Sequence, residues 1–346
     1  MGPDADARVL FALGLGMAAL FHLAGNARPS FSPPDLALTS VQLGVGATAL
    51  WTCFRPRVQL PLLLLCGLIP MSAWLEAPVV GNHWVLAAAL STTYLLAGVA
   101  GGFMRERRGA GPTWSRFLPA GRAVLLIAYG MASFAKLNTD FFDPVTSCAV
   151  FYQHQLVRSW GLERLSSVGH PVLGRGVALG ASLVELSVPL LLLIRRTRRA
   201  GILLALSFHW LIALDLDQHF WDFSSVLFVA FLLFLDRAQV VAVVSTLRGV
   251  RSAMRTSVRL LVASVGVVMA GAVTASAALT GNPPLRGTAV LLGHLAWFGL
   301  GTAVLFVVAA ATGRTAPDPE RLVFPAVAVL LVPALVALKA SPPTSS

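Results

Sequence analysis

Apolar runs of roughly 15 to 25 residues, separated by short polar breaks, cover most of this chain. A run of about that length is what a helix needs to cross the hydrocarbon of a bilayer. Eleven such spans are read from the pattern: 9–24, 36–54, 58–75, 84–104, 121–138, 172–194, 200–216, 222–235, 258–279, 287–312 and 322–338. The expected fold class is all-α, a polytopic integral membrane helix bundle. Arg8 precedes the first run, but Asp4 and Asp6 in its lead-in and the lack of a small-residue cleavage pattern make it a span rather than a signal peptide.

The longest stretch outside the spans is 139–171, and it has a pattern of its own. Asp143 before Pro144 resembles an N-cap followed by a first helical residue. Val145, Ala149, Tyr152, Leu156 and Trp160 then recur at helical spacing until Gly161. This predicts an amphipathic helix over 143–161 on the outer membrane surface, with Gln153, His154 and Arg158 off its apolar stripe.

Composition supports the membrane reading. The hydrophobic fraction is 56%, charged residues are 12% and mean hydropathy is +0.77, too apolar for a water-soluble fold of this length. A net charge of +11 raises the question of nucleic acid. The arginines, however, fall in short clusters between apolar runs, where positive-inside topology accounts for them. With a cytoplasmic N-terminus, nineteen Lys and Arg fall on the inner side and seven on the outer. The expected localisation is the cell membrane, with the C-terminus outside.

Two units are expected: a core over 1–236 that includes the surface helix, and additional helices with a disordered SPPTSS tail over 237–346. Spans 9 to 11 are plainer, with His294 their one ionisable residue away from the ends, and packing or lipid contact is their expected role. The three cysteines, Cys53, Cys66 and Cys148, imply neither a disulfide framework nor a zinc motif.

The polar chemistry is one-sided. All seven histidines, His22, His83, His154, His170, His209, His219 and His294, fall toward the outer side. Lys136 stands near the outer end of the fifth span and is one of two lysines among 26 basic residues. A lysine there can snorkel to the headgroups, pair with Asp140 one turn on, or serve as a base once desolvated, which an arginine cannot. Glu185 lies near mid-membrane, costly unless protonated or paired. Pro189, four residues on, is expected to kink that helix. His209 sits about 10 Å below the outer end of its span. Asp215, Asp217, His219 and Asp222 follow; the spacing matches no metal motif, so no metal is expected and a solvated loop is the preferred reading.

The stretch ASFAKLNTDFF over 132–142, the acidic proline-bearing run SLVELSVPLLLL over 182–193, the turn RRTRR and the run SFHWLIALDL over 207–216 occur in order. Together they resemble the horizontally transferred transmembrane family, that of the vitamin K-dependent gamma-carboxylases. The resemblance implies a base at Lys136, in Ala132-Ser133-Phe134-Ala135-Lys136-Leu137-Asn138, acting on a reduced vitamin K or menaquinone-type quinol. It further implies an oxyanion-stabilising or ring-positioning role for His209, and a cofactor surface that includes Glu185, Asn138, Trp210 and His154. Ser133 and Phe141 stand where the family often has glycine and tryptophan. The sequence also shows no counterpart of the large lumenal domain that holds a protein substrate, so a quinone-type site is implied rather than glutamate carboxylation. Membrane lipid and a peptide or protein substrate are the expected partners, and nucleic acid is not. Two other classes stay open: a proton-coupled transporter using Glu185 and His209, and a non-catalytic partner in peptide maturation, export or immunity.

Overall fold

The structure, a computed structural model, describes residues 2–26, 32, 35–101, 112–253 and 283–311. Every regular element among them is helical. The expected spans 258–279 and 322–338 lie outside the described residues. In chain order the helices are α1 (Pro3–Asn26), α2 (Leu36–Phe54), α3 (Gln59–Glu76), α4 (Asn82–Gly101), α5 (Pro112–Ala135), α6 (Thr139–Phe142), α7 (Cys148–Ser159), α8 (Pro171–Leu193), α9 (Arg198–Ile212), α10 (Phe220–Leu232), α11 (Arg237–Ala253) and α12 (Pro283–Ala311).

Seven of these contain segments long and apolar enough to cross a membrane: Pro3–Asn26, Leu36–Phe54, Gln59–Glu76, Asn82–Ala100, Thr113–Ala135, Pro171–Leu193 and Gly293–Ala311. α1 is the axis of the bundle, with 61% of its apolar window buried, against 22% for α8 at the periphery. Its Phe11, Ala12, Leu15, Ala18, Ala19 and His22 follow one helical stripe and are all buried. Small residues on that stripe let α2 approach closely: a Cβ on Gly16 would meet Cys53 Sγ at 2.7 Å and the Ala49 carbonyl at 3.1 Å. α4 repeats the logic with Ala87, Leu90, Tyr94 and Ala97. The outward faces keep large apolar side chains, including Trp74, Leu96, Ile127 and Phe134, as a lipid-facing surface requires.

The expected runs at 200–216 and 222–235 are shorter as helices. α9 has 15 residues and α10 has 13. α10 is buried almost all round, so its length answers to protein packing rather than to bilayer thickness. The irregular 213–219 link between them has its backbone satisfied by protein. His294 Nε2 bonds the Asp215 and Gln218 carbonyls at 2.9 and 3.0 Å, Trp160 Nε1 donates to the Leu214 carbonyl at 2.9 Å, and Leu216 N–H donates to Ser159 Oγ at 3.2 Å.

Arginines gather where α2, α8 and α10 end, and histidines where α1 ends and α4 and α10 begin. At the arginine end, Arg122 of α5 donates from Nε to the Leu233 carbonyl at 2.7 Å and from Nη2 to that of Leu235 at 3.4 Å. These carbonyls follow the last turn of α10 and have no helical donor. Arg122→Ala is expected to cost about 1–2 kcal/mol in chemical unfolding in micelles, because one short charged hydrogen bond is lost with its partner left buried. No change would mean that water already satisfies those carbonyls.

α11 falls in a stretch read from sequence as an inner loop. Val240, Val243 and Val244 are buried against the bundle, and Arg237 and Arg248 pair with Asp4 at 3.1 Å and Asp6 at 3.0 Å. At the other end, the helix expected over 143–161 is α7, starting at Cys148. Asp143 caps a turn instead, its Oδ1 accepting from Val145 N–H at 2.9 Å. The fully buried position of α7 is Val150, off the expected stripe, while Val145 and Tyr152 are exposed.

Candidate functional site

α5 ends at Ala135, one residue before the lysine. Asp140 therefore does not sit one turn further along the same helix, and Lys136 takes a different partner. Its Nζ donates to Glu185 Oε2 at 2.5 Å, and lies 5.9 Å from the centre of the Phe141 ring. The side chains are 25% and 16% exposed, so the pair is largely withdrawn into protein.

The contact also sets the depth of the site. Glu185 stands fourteen residues after Pro171 in α8, about 21 Å along the axis. α5 must therefore stop well short of the level at which α8 begins, and the early turns of α8 are covered by α6 and α7. A Cβ on Gly174 would meet Pro144 Cβ at 2.7 Å, which shows how close that cover lies. α8 runs on through Pro189, whose missing N–H leaves the Glu185 carbonyl without its helical donor.

Seven residues before Lys136, near the end of α5, is Tyr129. Its hydroxyl is hydrogen-bonded to Nε2 of His209 on α9, and both residues are buried. Phe231 and Phe223 of α10 pack on the imidazole, and Ser224 Oγ donates to the His209 carbonyl at 2.8 Å. Lys136 is within electrostatic reach of His209, and Glu185 of Tyr129, so the two pairs are neighbours along α5. Three buried polar atoms near these residues in sequence have no hydrogen-bond partner among the described residues: His209 Nδ1, Ser133 Oγ three residues before Lys136, and Ser182 Oγ three residues before Glu185.

The other residues singled out from sequence are engaged elsewhere. Asn138 caps α6, its Oδ1 accepting from Phe141 N–H at 2.8 Å and its Nδ2 donating to the Ala135 carbonyl at 2.7 Å. His154 Nδ1 bonds Ser166 Oγ at 2.8 Å. Trp210 points toward α12, donating from Nε1 to Thr302 Oγ1 at 3.0 Å. The acidic cluster after α9 is divided rather than solvated as a whole. Asp217 pairs with Arg158 at 3.1 Å. Asp215 is buried in the link. Asp222 turns to the opposite side of α10, toward His83.

Tyr129 and Ser182 are not singled out by the sequence, and Ser133 only as a residue standing where the family often has glycine. Their spacing of seven, three and three residues from Lys136 and Glu185 was the available signal, since residues so spaced share a helical face.

These features define a class: a multi-pass helical membrane protein with a paired lysine and glutamate inside the bundle. No family model matches the chain, and no curated protein or solved structure is significantly similar to it.

Proposed function

We propose that this is a multi-pass membrane enzyme of the carboxylase-like type named by the sequence resemblance, using Lys136 as a base toward a reduced vitamin K or menaquinone-type quinol. The histidine end faces the non-cytoplasmic side in this reading, α7 lies on that surface, and about eleven spans complete the chain. The observation that supports it best is the 2.5 Å contact between Lys136 Nζ and Glu185 Oε2, whose side chains are only 25% and 16% exposed.

An amine is a base only when neutral, and a lysine beside a carboxylate is ordinarily kept charged. In a site of low dielectric the balance changes, because a neutral amine and carboxylic acid need no solvation as ions. Covering the pair with an apolar ring would favour transfer of the proton from Nζ to Oε2, leaving the amine lone pair free. Glu185 then acts as the proton store that makes Lys136 competent. A reduced quinone, when bound, supplies an acidic ring hydroxyl and a pair of electrons. The residues present fit such a ring: His209 Nδ1 and the Ser133 and Ser182 hydroxyls are buried polar atoms in need of partners, and Phe134 and Leu186 are apolar side chains exposed beside them in sequence. Tyr129 holds the His209 ring so that Nδ1 is the free nitrogen. Lys136 accepts the proton at Nζ, and His209 hydrogen-bonds the oxygen that loses it.

The test uses the full chain in nanodiscs with menaquinol-4 and dissolved oxygen, following quinol consumption and the quinone retained after extraction. Lys136→Ala should lower the rate by about 10²–10⁴-fold while the quinone is still retained. Consumption by Lys136→Arg at the wild-type rate, or no consumption by the wild type, overturns the reading.

A further inference from the structure

A second polar cluster lies at the histidine end, on the other side of the Phe223 ring. That ring is 5.3 Å from His209 and 5.8 Å from His83, so a single aromatic side chain separates the two groups. The cluster is assembled from four helices: His22 near the end of α1, Glu76 at the end of α3, His83 at the start of α4 and Asp222 at the start of α10. We infer that His22, His83 and Asp222 form a binding site for one divalent transition-metal ion, of the kind that takes imidazole and carboxylate together.

One ligand atom from each of the three residues lies within 4.8 Å of the others. Metal–ligand bonds of about 2.0–2.1 Å in a tetrahedral site place ligands roughly 3.3 Å apart, so modest rotation of the side chains closes the set. His83 Nε2 is already 3.3 Å from Asp222 Oδ2, yet it is buried and makes no hydrogen bond of acceptable geometry. A buried imidazole nitrogen beside a carboxylate is costly to leave so, and a cation between them resolves it.

His22 is arranged in the same sense. It is 2% exposed and stacks on Trp84 with ring centres 3.7 Å apart, which fixes the plane of the imidazole. The Asn26 amide lies 3.3 Å from its Nδ1, and Glu76 lies 3.2 Å from its Nε2. With the amide donating to Nδ1, the ring proton is on Nε2 and is donated to Glu76. A carboxylate accepting from the far nitrogen of a histidine is the outer-shell pattern that orients ligating imidazoles and raises their basicity. The lone pair left on Nδ1 faces the same Asn26 amide that donates to Asp222 Oδ2 at 2.6 Å. Acceptors from α1 and α10 thus converge on one donor, a point where a cation can take over from the amide hydrogens.

Two neutral imidazoles with one carboxylate suit zinc, ferrous or manganous ions rather than calcium or magnesium, which prefer all-oxygen sets. Asp222 and Glu76 together match the double positive charge. Entry is from the histidine end, where His219, 4.0 Å from Asp222 Oδ2, is 36% exposed.

This inference does not depend on the quinol reading, and its test reads metal binding rather than turnover. The full chain in detergent is stripped with chelator, dialysed and titrated with zinc chloride. The expected result is one zinc per chain, with stoichiometric binding lost in His83→Gln and in Asp222→Asn. Affinity should fall by about 10–100-fold in Glu76→Gln and stay unchanged in His170→Gln. Because ligand variants can misfold, cobalt(II) loading of the wild type is the second measurement, and intense visible ligand-field bands of a low-coordinate ion are expected. A wild type that takes up no zinc, a cobalt spectrum no different from the aqueous ion, or zinc uptake that survives both His83→Gln and Asp222→Asn overturns the inference.

Discussion

Glu185→Ala is expected to lower the unfolding free energy by about 2–3 kcal/mol, and a second substitution at Lys136 should return most of the loss. Removing the carboxylate leaves an ammonium without its partner in a site where each group is mostly withdrawn from solvent. Breaking a fully buried pair costs about 3–5 kcal/mol, and the residual exposure here brings that down. Replacing both groups by apolar residues of similar volume is a different perturbation, because neither charge then has to be desolvated. Lys136→Met with Glu185→Leu is expected within about 1 kcal/mol of the wild type. The double-mutant cycle in denaturant-induced unfolding of the micellar protein measures the coupling. Simple additivity of the two single losses would mean that the contact contributes nothing. If the double variant is stable yet inert toward menaquinol, the pair is retained for chemistry and not for the fold.

The second large effect is expected where α8 turns into α9. Thr197 Oγ1 donates to the Leu191 carbonyl at 3.0 Å and Arg198 Nε to that of Leu192 at 3.1 Å, drawing the first turn of α9 onto the last turn of α8. Gly201 faces that contact, and a Cβ there would lie 2.9 Å from Leu191 Cβ, 3.1 Å from Leu192 N and 3.2 Å from Leu191 C. These neighbours are backbone or backbone-bound, so none can rotate aside. Gly201→Ala is expected to destabilise by about 1–3 kcal/mol, and Gly201→Val by more. The control is Gly180 of α8, where a Cβ meets nothing within 4 Å. Gly180→Ala should be neutral or stabilising by up to about 1 kcal/mol through helix propensity alone. Equal melting temperatures for Gly201→Ala and Gly180→Ala would show that the α8 and α9 backbones have room to part. His209 lies eight residues beyond Gly201, so a displaced α9 should also loosen the Tyr129 hydrogen bond.

The element boundaries show what local pattern can carry. α2 covers the residues expected of it, 36–54, and α3 is displaced by a single residue, since uninterrupted apolar runs leave little choice. α5 begins nine residues earlier than the run at 121–138 suggested, because Arg116 looks like a loop charge. Arg116 in fact donates to the Ala100 carbonyl, and Arg122 to carbonyls at the end of α10, so both are helical residues whose charge is used. α11 was legible in Val240, Val243 and Val244 at helical spacing, but its arginines suggested only topology. The site was half legible. Lys136 stood out by rarity, and Glu185 and His209 by their depth in an apolar run, whereas Tyr129 is a residue type at home in such a run and His22 was read only as one of seven one-sided histidines.

By itself the sequence determined that this chain belongs in a membrane, where most of its helices run, and that histidine and arginine separate to opposite ends. Those properties follow from run length and local charge, each read within about twenty residues. The partners were decided only by tertiary structure. Lys136 meets Glu185 across 49 residues, and Asn26 meets Asp222 across 196. Helical periodicity says which face a side chain occupies, but not which helix lies opposite or how far one is displaced along another. Here the early end of α5 against the long reach of α8 brings a lysine expected near the membrane surface onto a glutamate well along α8.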